Sequence, residues 1–285
     1  MIVSFHPCLV TDNQVILGSR SFGDRDRELM ARADAVLLPQ TCPEVLYRAA
    51  AAACDLVFPS YGPRFDSPGK VGQARLFLQS QVPHPRTRVW PSVRALRQAV
   101  EGSGQGPHGL PFMVKTDLDH EGEGVRLVRD LGELQAVLDL FHLRVSPEGN
   151  GILTQECIPS GGNVLRAVIL GSGLKTYWKR THGRGGAIST ISRGASIDHE
   201  WRPDLQEKGR VLAGDMRGRL GINLAAVDMV FPLDRENPEP LVLEINYSFG
   251  RRGLGGSEAY YRLLHEAVRE WLREKGLDAG AVTLA

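Results

Sequence analysis

Two short apolar runs in the last quarter of the chain constrain its fold more than any other feature. Residues 225–231 (AAVDMVF) and 241–246 (LVLEIN) have strand character. The polar segment between them, residues 232–240, contains the proline, asparagine and aspartate that favour turns. The economical interpretation is a β-hairpin.

The predicted hairpin carries two acids. Side chains two positions apart on a strand share a face, so Glu244 and Asn246 point one way while Leu243 and Ile245 point into the core. If the hairpin is symmetric about its middle, Asp228 lies opposite Glu244. Two opposed carboxylates repel unless a positive group lies between them, and a hard divalent cation would provide that charge. A solvated face with ordinary surface acids is the alternative that these strands leave open.

The overall charge limits the classes of partner. The chain has 285 residues, of which 42% are hydrophobic, which is ample for two domains or one large α/β unit. Its formal net charge is +1, whereas general nucleic-acid and membrane-surface binders usually carry a concentrated basic excess. We therefore expect no nucleic acid and no membrane among the partners.

Cysteine usage and hydropathy indicate the compartment. The cysteines are scattered, with no C-x-x-C pair, which is typical of reduced thiols. They are Cys8, Cys42, Cys54 and Cys157. The first residues lack a basic region followed by a long apolar one, and no run approaches the roughly 20 apolar residues of a membrane span. The expectation is a cytoplasmic protein.

The order of strand and helix patterns divides the chain into three parts. Strand and helix patterns alternate over the first 65 residues or so, which indicates a small parallel sheet. A proline-rich step at residues 82–87 and a strand that stops at Pro159 mark the boundaries. The predicted parts are residues 1–80, 81–156 and 157–285.

One glycine motif formally matches a dinucleotide-binding pattern. Residues 104–109 (GQGPHG) fit G-x-G-x-x-G, but no strand precedes them and a proline interrupts them. The chain has no Walker A sequence. A nucleotide, if bound, must be held another way.

Basic residues in or at the end of apolar strands are candidates for anion binding. Lys115 ends such a strand and precedes a loop with Gly122 and Gly124, whose backbone N–H groups could contact phosphates. A surface lysine and an ordinary turn explain the same residues. Arg166 is the only charge in the run 164–170, so it needs a fixed anionic partner, either a structural carboxylate or a phosphate.

The succession of these features resembles the ATP-grasp superfamily, in particular the branch of glutathione synthetase and the ribosomal-protein glutamate ligases. The resemblance covers about residues 65–270. Four short motifs carry most of it: Val114-Lys115, Gln155-Glu156-Cys157-Ile158, Val227-Asp228 and Leu243-Glu244-Ile245-Asn246. It implies an α/β and α+β fold, in which a central lid subdomain and a C-terminal subdomain with a metal site clamp ATP. A small N-terminal α/β domain would complete the substrate cleft.

The resemblance also implies roles for the matching residues. The backbone of Glu156 and Ile158, at an exposed strand edge, would meet the adenine, and the glycine loop would cover the phosphates. The implied ATP-binding residues are Lys70, Lys115, Gly122, Gly124, Gln155, Glu156, Cys157, Ile158 and Lys179. The implied ligands of two magnesium ions are Asp228, Glu244 and Asn246. The implied catalytic arginines are Arg166 and Arg193, and the implied substrate contacts are Arg180, Arg251 and Arg252.

The implied activity is that of an ATP-dependent carboxylate–amine ligase. ATP would convert a small-molecule or peptide carboxylate into an acylphosphate, which an amine attacks, with ADP and phosphate as products. A non-catalytic ATP-binding module that switches conformation with nucleotide is the alternative, and a homo-oligomer is left open. Two stretches depart from the family: Phe249-Gly250 stands where proline–glycine is frequent, and residues 188–193 lack its arginine–asparagine pattern. Both departures concern the second metal and the substrate more than ATP.

Overall fold

A computed structural model of the chain describes residues 1–117, 124–142, 151–181 and 194–285. The predictions for Gly122 and Arg193 lie outside the described residues. Within the described ranges the four cysteines are free thiols, and no helix has the length and apolar character needed to cross a bilayer.

The first sheet is parallel, as the alternation of strands and helices predicts. Its strands are β1 (Ile2–Ser4), β3 (Asn13–Gln14), β4 (Ala35–Leu37) and β5 (Val57–Phe58), in the spatial order β3-β1-β4-β5. The helices of this region are α1 (Asp24–Ala31), α2 (Glu44–Ala53) and α3 (Gly62–Asp66). A separate antiparallel pair joins β2 (Leu9–Val10) to β15 (Thr283–Leu284).

The second sheet is antiparallel. Its strands are β6 (Thr87–Trp90), β7 (Phe112–Thr116), β8 (Val125–Val128) and β9 (Ile152–Glu156), in the order β6-β9-β7-β8. The helices α5 (Val93–Ser103) and α6 (Leu131–His142) contribute apolar residues to a core with this sheet. The helix α4 (Gly69–Gln79) precedes the sheet and contacts β6 and β9.

The third sheet is also antiparallel and carries the predicted hairpin. Its strands are β10 (Val164–Leu170), β11 (Gly173–Arg180), β12 (Ser196–Asp198), β13 (Leu224–Val230) and β14 (Leu241–Asn246), in the order β12-β11-β10-β13-β14. The helix α7 (Pro203–Leu220) packs on β10 and β11, and α8 (Gly256–Glu274) follows the hairpin. Short 3-10 helices span Arg252–Leu254 and Ala279–Ala281.

The described residues form two hydrophobic cores. The first and third sheets share one core, to which α8 contributes its apolar stripe, including Tyr260, Leu264 and Trp271. The second sheet and its two helices have a core of their own, built around Phe112, Phe141 and neighbouring aliphatic side chains. The division of the chain at residues 80 and 156 stays a prediction.

The predicted register of the hairpin is confirmed, but the predicted orientation of one side chain, Leu243, is wrong. The strands β13 and β14 pair antiparallel with Asp228 opposite Glu244. The register then shifts, because Met229 pairs with Val242 and leaves Leu243 as an extra residue in β14. Val242 is fully buried, whereas Leu243, expected in the core, is half-buried and lines a cleft. A β-bulge of this kind reverses the alternation of side chains, and short apolar runs do not reveal it.

The expectation of an exposed strand edge at residues 151–159 is also wrong. The strand β9 lies between β6 and β7, so its backbone is paired on both sides, and the Glu156 N–H donates to the Arg86 C=O at 2.9 Å. Cys157 and Ile158 follow the strand and lie beyond the ladder. An apolar strand pattern does not distinguish a central strand from an edge strand, because both bury side chains.

The glycine motif at residues 104–109 has a packing role. A Cβ at Gly106 would lie 2.8 Å from the Phe112 ring, so the connector runs directly over that core residue. His108 Nε2 contacts the Thr154 hydroxyl at 2.9 Å. These contacts explain the motif without a dinucleotide.

Gly151, directly before β9, provides a test of backbone packing beside the second sheet. It has a φ of +97°, and an added Cβ would lie 2.2 Å from the Trp90 carbonyl oxygen. We expect Gly151→Ala to lower the free energy of unfolding by about 2–4 kcal/mol, because strain and a backbone clash add. Urea denaturation measures this loss.

Gly221 is the matched control for that substitution. It also has a positive φ, +67°, but an added Cβ would meet nothing within 4 Å. Gly221→Ala should therefore cost only about 1 kcal/mol, from strain alone. Equal losses in the two variants would contradict the close approach at Trp90.

Candidate functional site

A narrow cleft lies between the second sheet, α4 and β14. Its lining combines basic, amide and apolar side chains. They are Lys70, Gln73, Ala74, Phe77, His84, Thr87, Lys115, Leu153, Gln155 and Leu243. The four lining residues from α4 recur at positions i, i+3, i+4 and i+7, so they share one face of that helix.

Polar contacts hold Lys115 in the wall of this cleft. Its Nζ donates to Gln155 Oε1 at 2.6 Å, and Gln155 Nε2 donates to Thr87 Oγ1 at 2.9 Å. Burial lowers the pKa of Lys115 to about 8, and the charge of Lys70 acts in the same direction while Glu244 opposes it. Lys115 is therefore close to both a second lysine and one of the two hairpin acids.

The helix α4 is positioned by the residue that follows β7. Asp117 Oδ1 accepts from the Val71 N–H at 2.8 Å, and the Asp117 C=O accepts from the Lys70 N–H at 3.3 Å. Gly69, with a φ of +68°, lies so close that a Cβ there would be 2.3 Å from Asp117 Oδ1. A carboxylate at a helix N-terminus is favourable, and here it fixes the start of the helix that carries Lys70.

Asp228 is the centre of a buried ion cluster that spans three neighbouring strands. Arg166 donates to both of its oxygens at 2.7 Å, and Lys179 Nζ donates to Oδ2 at 2.8 Å. The side chains of Asp228 and Lys179 are only 4% and 7% exposed. Burial alone would raise the pKa of Asp228, but the two cations outweigh it and hold the pKa well below its usual range.

This cluster corrects the charge argument made for the hairpin. A divalent cation is not needed to balance Asp228, because Arg166 and Lys179 already supply positive charge, and the metal role of Asp228 stays a prediction. The partner of Arg166 is therefore a structural carboxylate, one of the two alternatives left open. Lys179, assigned to ATP by resemblance, is likewise engaged by Asp228.

Glu244 and Asn246 lie on the same face, beside the cluster. Asn246 Nδ2 donates to Glu244 Oε1 at 3.0 Å and to Asp228 Oδ2 at 3.3 Å, so its Oδ1 remains an acceptor. No group of three or more Asp, Glu, His or Cys side chains able to hold a metal is found within the described ranges. Mg²⁺ typically takes one or two carboxylates together with substrate phosphates. A carboxylate beside an amide oxygen fits that requirement, with Glu244 and Asn246 as the available donors.

Sequence reasoning missed Gln73, which joins α4 to β14. Its Nε2 donates to the Ile245 C=O at 2.9 Å, and the Ile245 N–H donates to its Oε1 at 2.7 Å. A signal was present, because Gln73 shares a helical face with Lys70. An amide on a half-buried face has too many ordinary explanations for the pattern alone to assign a partner.

Arg180, which the resemblance assigns to the substrate, is engaged in the structure. It pairs with Asp198 at 2.9 Å and its guanidinium lies 4.2 Å from the centre of the Trp201 ring. The hydrogen bond from Arg180 and two backbone N–H groups lower the pKa of Asp198 to about 2. Arg180 is thus fixed at the end of β11 by an ion pair and a stacking contact.

The other two arginines assigned to substrate follow β14. Arg251 stacks over Tyr260 and Tyr261, with its guanidinium 4.6 and 4.5 Å from the ring centres. It lies close to His6, two residues after β1, whose pKa is lowered to about 4 by burial and by the charge of Arg251. Arg252 is exposed at the start of the short 3-10 helix.

No protein-family model matches the chain. Among curated proteins it is similar to probable glutamate ligases. A probable alpha-L-glutamate ligase 2 of Hahella chejuensis is 28% identical over 187 residues, which cover 65% of this chain and 56% of that protein. A probable alpha-L-glutamate ligase of Picosynechococcus sp. is 28% identical over 158 residues, which cover 55% and 49%. The chain spans about half the length of the curated relatives it matches.

Solved structures define the class of fold. A RimK domain protein ATP-grasp from Sphaerobacter thermophilus matches with a TM-score of 0.58 and 22% identity, over 86% of this chain and 82% of that chain. A D-alanine–D-alanine ligase from Bacillus anthracis matches with a TM-score of 0.58 and 14% identity, over 92% and 90%. The chain has the ATP-grasp fold, as the sequence motifs indicated. Within that fold it resembles the glutamate-ligase branch, to which its curated relatives point.

The ion cluster generates a prediction about stability. Asp228→Asn leaves Arg166 and Lys179 buried without a counter-charge, so we expect the free energy of unfolding to fall by about 3–5 kcal/mol. Glu244→Gln is the matched control: Glu244 lies on the same face but, among the described residues, forms no ion pair with a cation. Its loss should stay below about 1 kcal/mol. Similar losses in urea denaturation would contradict a cluster centred on Asp228.

Burial of neutral His6 makes stability depend on pH. The pKa of His6 is 6.5 in the unfolded chain, its ordinary value, and about 4 in the folded chain. Between these two pH values the unfolded state therefore binds more protons than the folded state. The free energy of unfolding should therefore fall by up to about 3 kcal/mol as the pH is lowered from 6.5 to 4. His6→Gln lacks this titration, so the difference between wild type and variant should change across that window. A constant difference would be inconsistent with a buried neutral His6.

Proposed function

We propose that this chain is an ATP-dependent carboxylate–amine ligase that binds ATP and magnesium in the cleft between the second sheet, α4 and β14. One observation carries the proposal: Lys70 and Lys115 both line this cleft, and Glu244 is near enough to Lys115 for their charges to interact, although the three residues come from distant parts of the sequence. The ATP-grasp fold and the similarity to probable glutamate ligases support it.

The cleft offers an apolar surface for the adenine. Leu153 of the second sheet and the bulged Leu243 of the third both line it. The end of β9 at Glu156, with Cys157 and Ile158 after it, would provide backbone contacts to the adenine edge. The Glu156 N–H would not be one of them, because it already donates to the Arg86 C=O. The Ile158 C=O already accepts from the Ser160 N–H at 2.7 Å, so a contact from Ile158 would use its N–H group.

The two lysines of the cleft would hold the phosphates. The charge of Lys115 interacts with those of both Lys70 and Glu244, so phosphates at Lys115 would lie close to a metal donor. An anionic triphosphate would also favour the charged form of Lys115, whose pKa of about 8 is lowered by burial. The Thr116 N–H donates to the Gly124 C=O at 2.9 Å, so these two residues meet at the base of the glycine loop proposed to cover the phosphates.

Glu244 and Asn246 would hold magnesium. When bound, magnesium neutralises phosphate charge and orients the phosphoryl group for transfer. Both oxygens of Asp228 accept hydrogen bonds from cations, so a second ion bound through Asp228 requires those contacts to change. Arg166 and Lys179 would then be available to the transferred phosphate, which is a role we propose for Arg166.

The reaction needs little covalent chemistry from the protein. A carboxylate oxygen attacks the γ-phosphorus, the bond to the ADP oxygen breaks, and an acylphosphate forms. The amine then attacks the acyl carbon, phosphate leaves with the bonding electron pair, and the nitrogen loses a proton. The cationic residues stabilise the charge that is transferred, and a closed cleft protects the intermediate from water.

We propose that the substrate carboxylate lies near Arg251. That arginine is half-buried, stacks on two tyrosines and donates to the Ser257 hydroxyl at 3.4 Å, and no acid among the described residues forms an ion pair with it, so its charge is available to a substrate carboxylate. Arg180 would act only if it released Asp198, and Arg252 would act from the exposed side of the same loop. The carboxylate would belong to a small molecule or a peptide, with no nucleic acid as partner, in the cytoplasm.

The experiment that tests the proposal measures ADP release with magnesium and ATP against a panel of amino acids, small carboxylates and peptides. Stimulation by one acid together with one amine is expected and would identify the substrates. Tight ATP binding without turnover in any mixture would instead support the nucleotide-binding module.

Glu244 provides the sharpest variant for this activity. Glu244→Ala removes a proposed metal ligand, so we expect magnesium-dependent ATP turnover to fall by about 100-fold or more while the unfolding transition is retained. Glu236→Ala removes an exposed acid from the loop of the same hairpin and is the matched control. Unchanged turnover in Glu244→Ala would contradict the assignment.

A further inference from the structure

We infer that Gln73 is a positioning residue for the metal-binding strand: its side-chain amide fixes the free edge of β14 and thereby the relative positions of Glu244 and Asn246. The inference rests on the proposed function, which assigns magnesium to those two residues. Gln73 lines the cleft, but its side-chain amide bonds to the backbone of Ile245, the residue between Glu244 and Asn246.

The Gln73 amide takes the place of a neighbouring strand at the edge of β14. The strand β14 is at the edge of its sheet, with β13 on one side only. At Ile245 the outward N–H and C=O both bond to the Gln73 amide, at 2.7 and 2.9 Å, as they would to a neighbouring strand. One amide therefore satisfies a donor and an acceptor that the sheet leaves unpaired.

The position of this contact along β14 matters for the site. Ile245 lies between Glu244 and Asn246, and its side chain is 3% exposed in the main core. Its side chain is thus held by packing and its backbone by Gln73. A shift of the backbone at this residue would move both oxygen donors, because each is directly bonded to it in the chain.

The helix α4, which carries Gln73, packs closely against the segment that precedes it. A Cβ at Gly72 would lie 2.5 Å from the backbone carbon of Ser67, so the first turn of α4 packs directly on the preceding segment. Asp117 bonds to the same turn through Val71. Gln73 therefore acts from a fixed support, which a positioning residue requires.

A purely structural hydrogen bond and a positioning one differ in what they change. Loss of a structural bond would lower stability and leave the affinity for metal intact. Loss of a positioning bond would weaken metal binding, and second-shell partners of metal sites typically contribute about 10–100-fold in affinity. The affinity for a divalent cation with ATP is therefore the decisive quantity.

The test compares Gln73→Met with Gln79→Met in the full chain. Both exchanges remove an amide and keep the side-chain volume, but Gln79 is exposed at the other end of α4. Mn²⁺ is titrated in the presence of ATP and followed by electron paramagnetic resonance, which reports metal binding without turnover. We expect the apparent dissociation constant for Mn²⁺ to rise about tenfold in Gln73→Met and to stay unchanged in Gln79→Met.

Hydrogen exchange of the peptide that covers residues 241–247 provides a second measurement. Its amides should exchange faster in Gln73→Met than in wild type or Gln79→Met, since the edge contact is lost. Equal Mn²⁺ affinity in the two variants, with normal binding in wild type, would overturn the inference alone. A wild-type chain that binds no Mn²⁺ with ATP would overturn the proposed function, and this inference with it.

Discussion

The buried ion cluster of Asp228 is the constraint on which the third sheet depends. Its three members come from three adjacent strands, so every strand must be in register before the charges can compensate one another. Removing Asp228 would leave two buried cations without a counter-charge where water is largely excluded, which is costly, whereas Asp228 would keep one partner if either cation were removed. The same register places Glu244 opposite Asp228 and so builds the face proposed to bind magnesium. The same pairing of strands therefore forms both the stabilising ion cluster and the proposed magnesium site.

The sequence predicts the architecture better than the side-chain partners. Strand alternation predicted the small parallel sheet, the resemblance carried by the order of the motifs implied the ATP-grasp fold, and hairpin symmetry predicted the pairing of Asp228 with Glu244. The bulge at Leu243 was not predictable, since one extra residue in a short apolar run leaves its composition unchanged. The cluster around Asp228 was also hidden, because Arg166 and Asp228 are 62 positions apart in the chain. The partners in a long-range ion pair are determined by how the strands pair in the folded chain, and the local sequence pattern does not contain that information.

The helix α4 combines two tasks on one face. Lys70 lines the cleft where phosphates are proposed to bind, and one turn later Gln73 holds the edge of β14. Asp117 caps the same helix directly after β7, the strand that carries Lys115. The second and third sheets are thus connected at the site by a short helix as well as by the chain itself. The side chain proposed to bind phosphate and the side chain that positions β14 therefore lie on consecutive turns of α4.

The separation of the two cores has a mechanical consequence. The second sheet has its own core, while the third sheet shares its core with the first, and the cleft lies along the boundary. A change in the width of the cleft would therefore not require any core to be opened, and would cost only the contacts across the boundary. The two sides of the cleft could then move relative to each other with both cores intact. The free energy for narrowing the cleft would come from the ligand bound in it, so ligand binding and the width of the cleft would be directly coupled.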